Sequence, residues 1–208
     1  KKRRRSPSNP SLKPSLTSDL KMRPVNTKVK ALQFASGAAL GPILDNFHST
    51  YHVLAYDTFA VKGLIETSVW TPPLFGVAAL LIGALGNMGP KQPQQNPAPA
   101  IMVFGMLYWL SGILGNVVSP LEESLILWPL AVASTVYFDK STIPTAVATA
   151  IAGPSLEIAL TTLDLYHYTR ADVLGVSSWI PAVYFAGAAP VALLERYYSS
   201  SFSSSSSS

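Results

Sequence analysis

Between Glu66 and Lys91 the chain runs for 24 residues without a charge, and between Asp172 and Glu195 for another 22. Each stretch reaches the roughly 20 residues that a helix needs to cross the hydrocarbon of a bilayer. Pro99–Val118 makes a third such segment, Leu121–Phe138 a fourth that opens at Glu122 and Glu123, and Thr142–Leu163 a fifth with Glu157 inside it. A shorter segment, Ala31–Phe47, comes first. One chain of 208 residues cannot bury six apolar helices inside itself, so lipid is the expected solvent. The composition agrees, with 49% hydrophobic and 12% charged residues and a mean hydropathy of +0.30. Nine of the 17 prolines sit in or beside the apolar segments, which predicts bent helices. The expected fold is therefore all-α: an integral membrane bundle of six kinked transmembrane helices.

The net charge of +4 hides two opposed parts. Ten of the 15 basic residues lie in residues 1–30 against a single acid, Asp19, so this segment carries +9 and the remainder −5. With four prolines, scattered serines and no apolar stripe, 1–30 reads as a disordered basic arm. Residues 31–198 form the six-helix domain, and the almost pure serine of 199–208 reads as a disordered tail. Beside a membrane body, the basic arm points to retention on the positive side and attraction to anionic head groups rather than to nucleic acid. Counting the short loops, thirteen basic residues fall on the arm's side and only Lys62 and Arg170 on the other. That asymmetry predicts an even number of spans with both termini on one face. An opening rich in Arg and Ser and poor in acids also fits the remnant of an organelle transit peptide, with sequence missing upstream and a plastid membrane as the location.

Signals for catalysis are few. Zero cysteines exclude a disulfide framework, an iron–sulfur cluster and a thiol nucleophile. Asp45, His48 and His52 have a spacing that places them on one helix face, where they would hold a single zinc or iron. The alternative is that Asp45 accepts a hydrogen bond from an imidazole and fixes a bend. There is no HExxH, no Gly-flanked pair of intramembrane aspartates, and no later intramembrane His to serve Ser36 or Ser111 as a base. Neither an enzyme nor a resident cofactor is expected. Glu157 is the outstanding charge, because an ionised carboxylate deep in a span costs about 2.5–3.5 kcal/mol and must face the bundle interior, be protonated or bond a ligand. Glu122 and Glu123 read as helix-capping acids, and Asp139 as an acid at the basic edge that either meets a partner helix or pairs with Lys140.

Three groups of residues carry a family resemblance. Trp70-Thr-Pro72-Pro73-Leu-Phe-Gly76 resembles the W-x-P-P-x-x-G opening of the second span in the Insig (insulin-induced gene) family, and Tyr137-Phe138-Asp139 is similar to that family's W-T-F-D-R exit from the fourth. Leu165–Asp172 followed by Ser178–Gly187 resembles its fifth-to-sixth connection and sixth span. The resemblance implies a non-catalytic six-span bundle around a lipid-facing cavity. Animal members bind oxysterols in the endoplasmic reticulum membrane, hold the sterol-sensing escort protein for lipogenic transcription factors, and present HMG-CoA reductase for degradation; bacterial relatives bind diacylglycerol. It also implies that Asp139 occupies the family's partner-binding acidic position. The family's cysteines, its longer basic turn after the fourth span and its Lys-Leu-Asp run in the third are missing here.

The sequence thus predicts a membrane lipid-binding regulator, taking a diacylglycerol, sterol or similar lipid and binding another integral membrane protein in a ligand-dependent way. An apolar cleft open to equally apolar lipid tails needs buried polar groups for selectivity. Glu157 is expected to contact a lipid hydroxyl, with Asn116 as an intramembrane helper, Trp70 and Trp179 as interfacial side chains, and Asp45 and His48 meeting a head group at the opposite surface. Asp139 is the partner-facing expectation. The alternatives are a lipid-modifying metalloenzyme using Asp45, His48 and His52, and a structural subunit of a membrane assembly.

Overall fold

The computed structural model describes residues 27–56, 65–88 and 95–204. Most of the basic arm, Lys62 and Lys91 lie outside them. Among the described residues there are six α-helices: α1 (Thr27–Thr50), α2 (Thr71–Gly86), α3 (Ala98–Leu114), α4 (Pro120–Asp139), α5 (Ile143–Thr162) and α6 (Ile180–Ser204). A two-residue antiparallel pairing, β1 (Leu54–Ala55) with β2 (His167–Tyr168), is the one departure from an all-helical plan among the described residues. The helices overrun the expected 31–198 domain at both ends, since α1 starts at Thr27 and α6 continues to Ser204, into the serine-rich segment read as disordered.

Proline marks where helices begin. Pro72 and Pro73 open α2, Pro120 opens α4, and Pro144 and Pro181 open α5 and α6, at positions whose N–H has no intrahelical partner anyway. Ser119 and Glu122 add a reciprocal capping box at α4. These stops shorten α2 to 16 residues and α3 to 17, less than the uncharged stretches that contain them. Among the described residues, the one helical run long and apolar enough by length and composition to cross a membrane is Pro120–Thr162. It is two helices broken by a single 3-10 turn, Lys140–Thr142, where Asp139 turns to an extended backbone and its Oδ1 accepts the Ser141 N–H at 2.9 Å.

Helix α6 is the core, touching all five other helices. Its buried face is largely alanine (Ala182, Ala186, Ala188, Ala189 and Ala192), which lets neighbouring backbones approach closely. On α1, Gly41 serves the same end, because a Cβ there would strike the Phe75 ring of α2. Outward-facing Leu81, Met102, Leu125 and Ile151 are each more than 60% exposed, an apolar coat of the kind that lipid covers.

The two ends of the bundle differ. At one, β1 and β2 pair, Thr169 N–H bonds the Val53 carbonyl, and Arg170 reaches the carbonyls of Gly115 and Val118 beyond the end of α3. At the other, Lys30 of α1 pairs with Glu195 of α6 at 2.6 Å, and Arg196 binds Asp139, Asn87 and the Gly86 carbonyl. Lys30, Lys140 and Arg196 lie at that end and Arg170 at the first.

Candidate functional site: an intrahelical cavity

Helices α1, α2, α3, α5 and α6 enclose an apolar cavity of about 330 Å³. That volume is in the range of sites that take small amphiphiles. Among its lining residues, Leu81 and Leu85 of α2 and Ala152 and Leu156 of α5 are exposed. Since α2 and α5 scarcely touch, the cavity opens sideways between them. Its walls are Leu, Ile, Phe and Ala; its polar groups gather at the end nearest the β pairing, with Gln33 at the other.

Glu157 is the centre of the polar end. Tyr166 and Tyr168 donate their hydroxyls to Oε2, the second at 3.0 Å, and Tyr184 of α6 donates to Oε1. The geometry depends on Gly153, one turn earlier in α5: a Cβ there would collide with the Tyr184 ring. Asp45 of α1 stands at the same end, accepting the Tyr56 hydroxyl at 2.8 Å and the Thr67 hydroxyl at 2.6 Å on Oδ2. Tyr56, Trp70 and Tyr166 form a cluster with ring centroids 5.3 to 5.9 Å apart. Burial, and next the Asp45 charge, pushes the Tyr56 phenol well above its ordinary value. Burial followed by Glu157 does the same for Tyr168. Both phenols therefore stay neutral donors at physiological pH.

Of the residues singled out from sequence, Glu157, Asp45 and Trp70 line the cavity together. Asp45 is thus at the same end as Glu157, not at an opposite surface. His48 is elsewhere: it is 1% exposed, stacked on Tyr108 at 4.4 Å and edge-on to Trp179 at 5.0 Å. Ser111 donates its hydroxyl proton to the Tyr108 carbonyl, so His48 Nε2 is the donor to Ser111 Oγ at 2.8 Å. Trp179 is buried in that packing rather than placed at an interface. Asn116 follows the last turn of α3, is exposed, and donates to the Tyr51 carbonyl; it is a loop tie, outside the cavity.

Three further expectations need correcting. Asp45, His48 and His52 do not converge: α1 ends at Thr50, His52 turns away at φ 56°, and the other two side chains are bonded to Tyr56, Thr67 and Ser111. Among the described residues no group of three ligating side chains is assembled for a metal. Asp139 is 6% exposed and bonds Arg196 and Ser141, so its carboxylate faces the bundle rather than a partner, and its counter-ion is not Lys140. Glu123 does not cap α4; it is fully buried, while Glu122 fills the capping box.

The tyrosines were missed from sequence. Tyr166 and Tyr168 alternate around His167, a period of two that puts both phenols on one side of an extended segment, and this was the available signal.

Comparison with known proteins places the fold. The solved structure of MvINS, a mycobacterial Insig homologue from Mycobacterium vanbaalenii, matches 83% of this chain and 94% of its own with a TM-score of 0.73 at 22% identity, and a cross-linked trimer of MvINS matches equally. No family model matches the sequence. Insulin-induced gene 1 protein of Gallus gallus is 25% identical over 174 residues, covering 78% of this chain and 69% of that protein. In sequence and in fold the chain is similar to the Insig proteins. The Homo sapiens protein is equally similar at 25%, and this chain spans 62% of its length.

Proposed function

We propose that this protein is an Insig-type membrane regulator whose six helices each cross the bilayer and whose central cavity holds one membrane lipid. The observation that carries the reading is the cavity itself: apolar walls, a sideways mouth between α2 and α5, and a hydrogen-bonded carboxylate pair, Glu157 and Asp45, at one end. An acyl or ring system entering from the bilayer exchanges one apolar environment for another, so the tail contributes little selectivity and the polar end decides the guest. Diacylglycerol and sterol are the lipids that the family resemblance implies, and the endoplasmic reticulum membrane is the location it implies. Lys30, Lys140 and Arg196 would then mark the positive, cytosolic face.

Regulation requires that lipid occupancy change the affinity for another membrane protein. Four helices on the cavity wall also form the outer surface, so filling the cavity alters how α2 and α5 present themselves to a neighbour. Lipid extracted from gently purified protein and identified by mass spectrometry tests the reading. One lipid species, enriched over the surrounding membrane and lost when Ala152→Trp plugs the mouth, is expected. Bulk membrane lipid in unchanged amount in the variant would sink it.

A further inference from the structure

The polar end of the cavity holds two acids, and the hydrogen bonds they already make set them apart. Glu157 is spent: Tyr166 and Tyr168 donate to Oε2 and Tyr184 to Oε1, so both oxygens have phenol partners. Asp45 is half spent. Tyr56 at 2.8 Å and Thr67 at 2.6 Å both donate to Oδ2, and among the described residues no group donates to Oδ1. Two bonds on one oxygen hold the carboxyl in a single orientation, and that fixes where the other oxygen points.

Orphan acceptors elsewhere in the interior are of another kind. Gln33 Oε1, Glu195 Oε2 and both oxygens of Glu123 also lack a donor among the described residues, but protein encloses each of them and no guest reaches it. Asp45 Oδ1 is not one of these enclosed atoms, although Asp45 is only 5% exposed. The opening that Asp45 has is the cavity, which it lines. A polar atom withdrawn from water, left without a partner and facing apolar walls, costs stability until a guest supplies the missing bond.

We propose that Asp45, through Oδ1, is the residue that reads the head group of the lipid, and that the group it reads is a single neutral hydroxyl. Glu157 is then a positioning residue, which holds Tyr166, Tyr168 and Tyr184 as the frame of the polar end without bonding the head itself. This inference rests on the lipid-cavity reading above and assigns its head-group contact to one atom. A hydroxyl suits Oδ1 in either state of the carboxyl, donating to the ionised form and accepting from the neutral one. An ether oxygen or an ester carbonyl can only accept, so it suits the neutral form alone.

The test pairs hexadecanol with pentadecyl methyl ether, which has as many heavy atoms and an oxygen near the same end but no hydroxyl proton. Each is titrated into the full chain at mildly alkaline pH in an uncharged detergent, and bound probe is counted by native mass spectrometry. Wild type is expected to bind the alcohol about tenfold more tightly, the cost of leaving Oδ1 without a donor. Asp45→Asn keeps an oxygen for Tyr56 and Thr67 and turns an amide NH2 into the cavity, which serves both probes alike, so the preference is expected to vanish. Glu157→Gln is expected to weaken both probes together and leave their ratio as in wild type. A merely structural role for Asp45 would also act on both probes together, so the ratio is the deciding quantity. Equal or tighter binding of the ether by wild type overturns the inference and leaves the lipid cavity standing, as does a preference that survives in Asp45→Asn. Loss of the preference in Glu157→Gln moves the contact to Glu157 and overturns it too, a result that stands even if Asp45→Asn does not fold. Binding of neither probe by wild type overturns both readings.

Discussion

The two ends of this bundle solve the same problem, buried acids, in opposite ways. At the end holding Lys30 and Arg196, Glu195 and Asp139 each meet a base from another helix, and the pairs tie α1 to α6 and α4 to α6. At the other, Asp45 and Glu157 accept hydrogen bonds from hydroxyls and, among the described residues, pair with no base. A paired acid is a rivet that holds two helices together. An acid surrounded by hydroxyl donors lines an open cavity, and that end is where the proposed function places the lipid head group.

Substitutions separate the two designs. The largest effect on stability is expected from Arg196→Ala, which strands the buried Asp139 carboxylate and should cost about 3 kcal/mol, read as a drop in the thermal unfolding midpoint in detergent. Unchanged melting would dissolve the distinction between the ends. Next, Gly41→Val forces a side chain into the Phe75 ring and should cost about 2 kcal/mol, with α1 and α2 separating first in hydrogen exchange.

Glu157→Gln is expected to spare the fold more than Arg196→Ala does and to weaken retention of the co-purified lipid by about tenfold, a result that quantitative lipid analysis reads directly. Tyr168→Phe removes one of three phenol donors to Glu157 and should cost about 1 kcal/mol. It also carries a pH signature. The Tyr168 phenol is raised in the folded state, so its stabilising contribution is complete below the ordinary phenol value of about 10 and is lost as pH climbs above it. The wild-type melting midpoint should therefore fall as pH rises beyond about 10, with a shallower fall over that range in Tyr168→Phe. Lys140→Ala, an exposed residue at the riveted end, should change stability by less than about 0.5 kcal/mol and serves as the control.

The helical body was readable because uncharged stretches are a local property of sequence. Their edges were less so: the stretch between Glu66 and Lys91 yields only Thr71–Gly86, since the proline pair sets the start and Asn87 the end. Glu157 stood out because a charge inside an apolar run has no local excuse. Its phenol partners come from β2, from Tyr166 just before it and from α6, and no spacing rule joins them to α5 beforehand. The same blindness explains Asp139, whose base lies 57 positions away while Lys140 is adjacent. His48 and His52 were misplaced for a simpler reason. Their four-residue spacing shares a face only if the helix continues, and α1 ends between them.

Because α6 is the element against which the five other described helices rest, the core is completed by the helix made after them. During synthesis, the five preceding helices lack their common packing surface until α6 has emerged, and only then condense around the alanine face. A premature stop before Ile180 would accordingly release five hydrophobic helices with no axle, material for membrane quality control rather than a partly working protein.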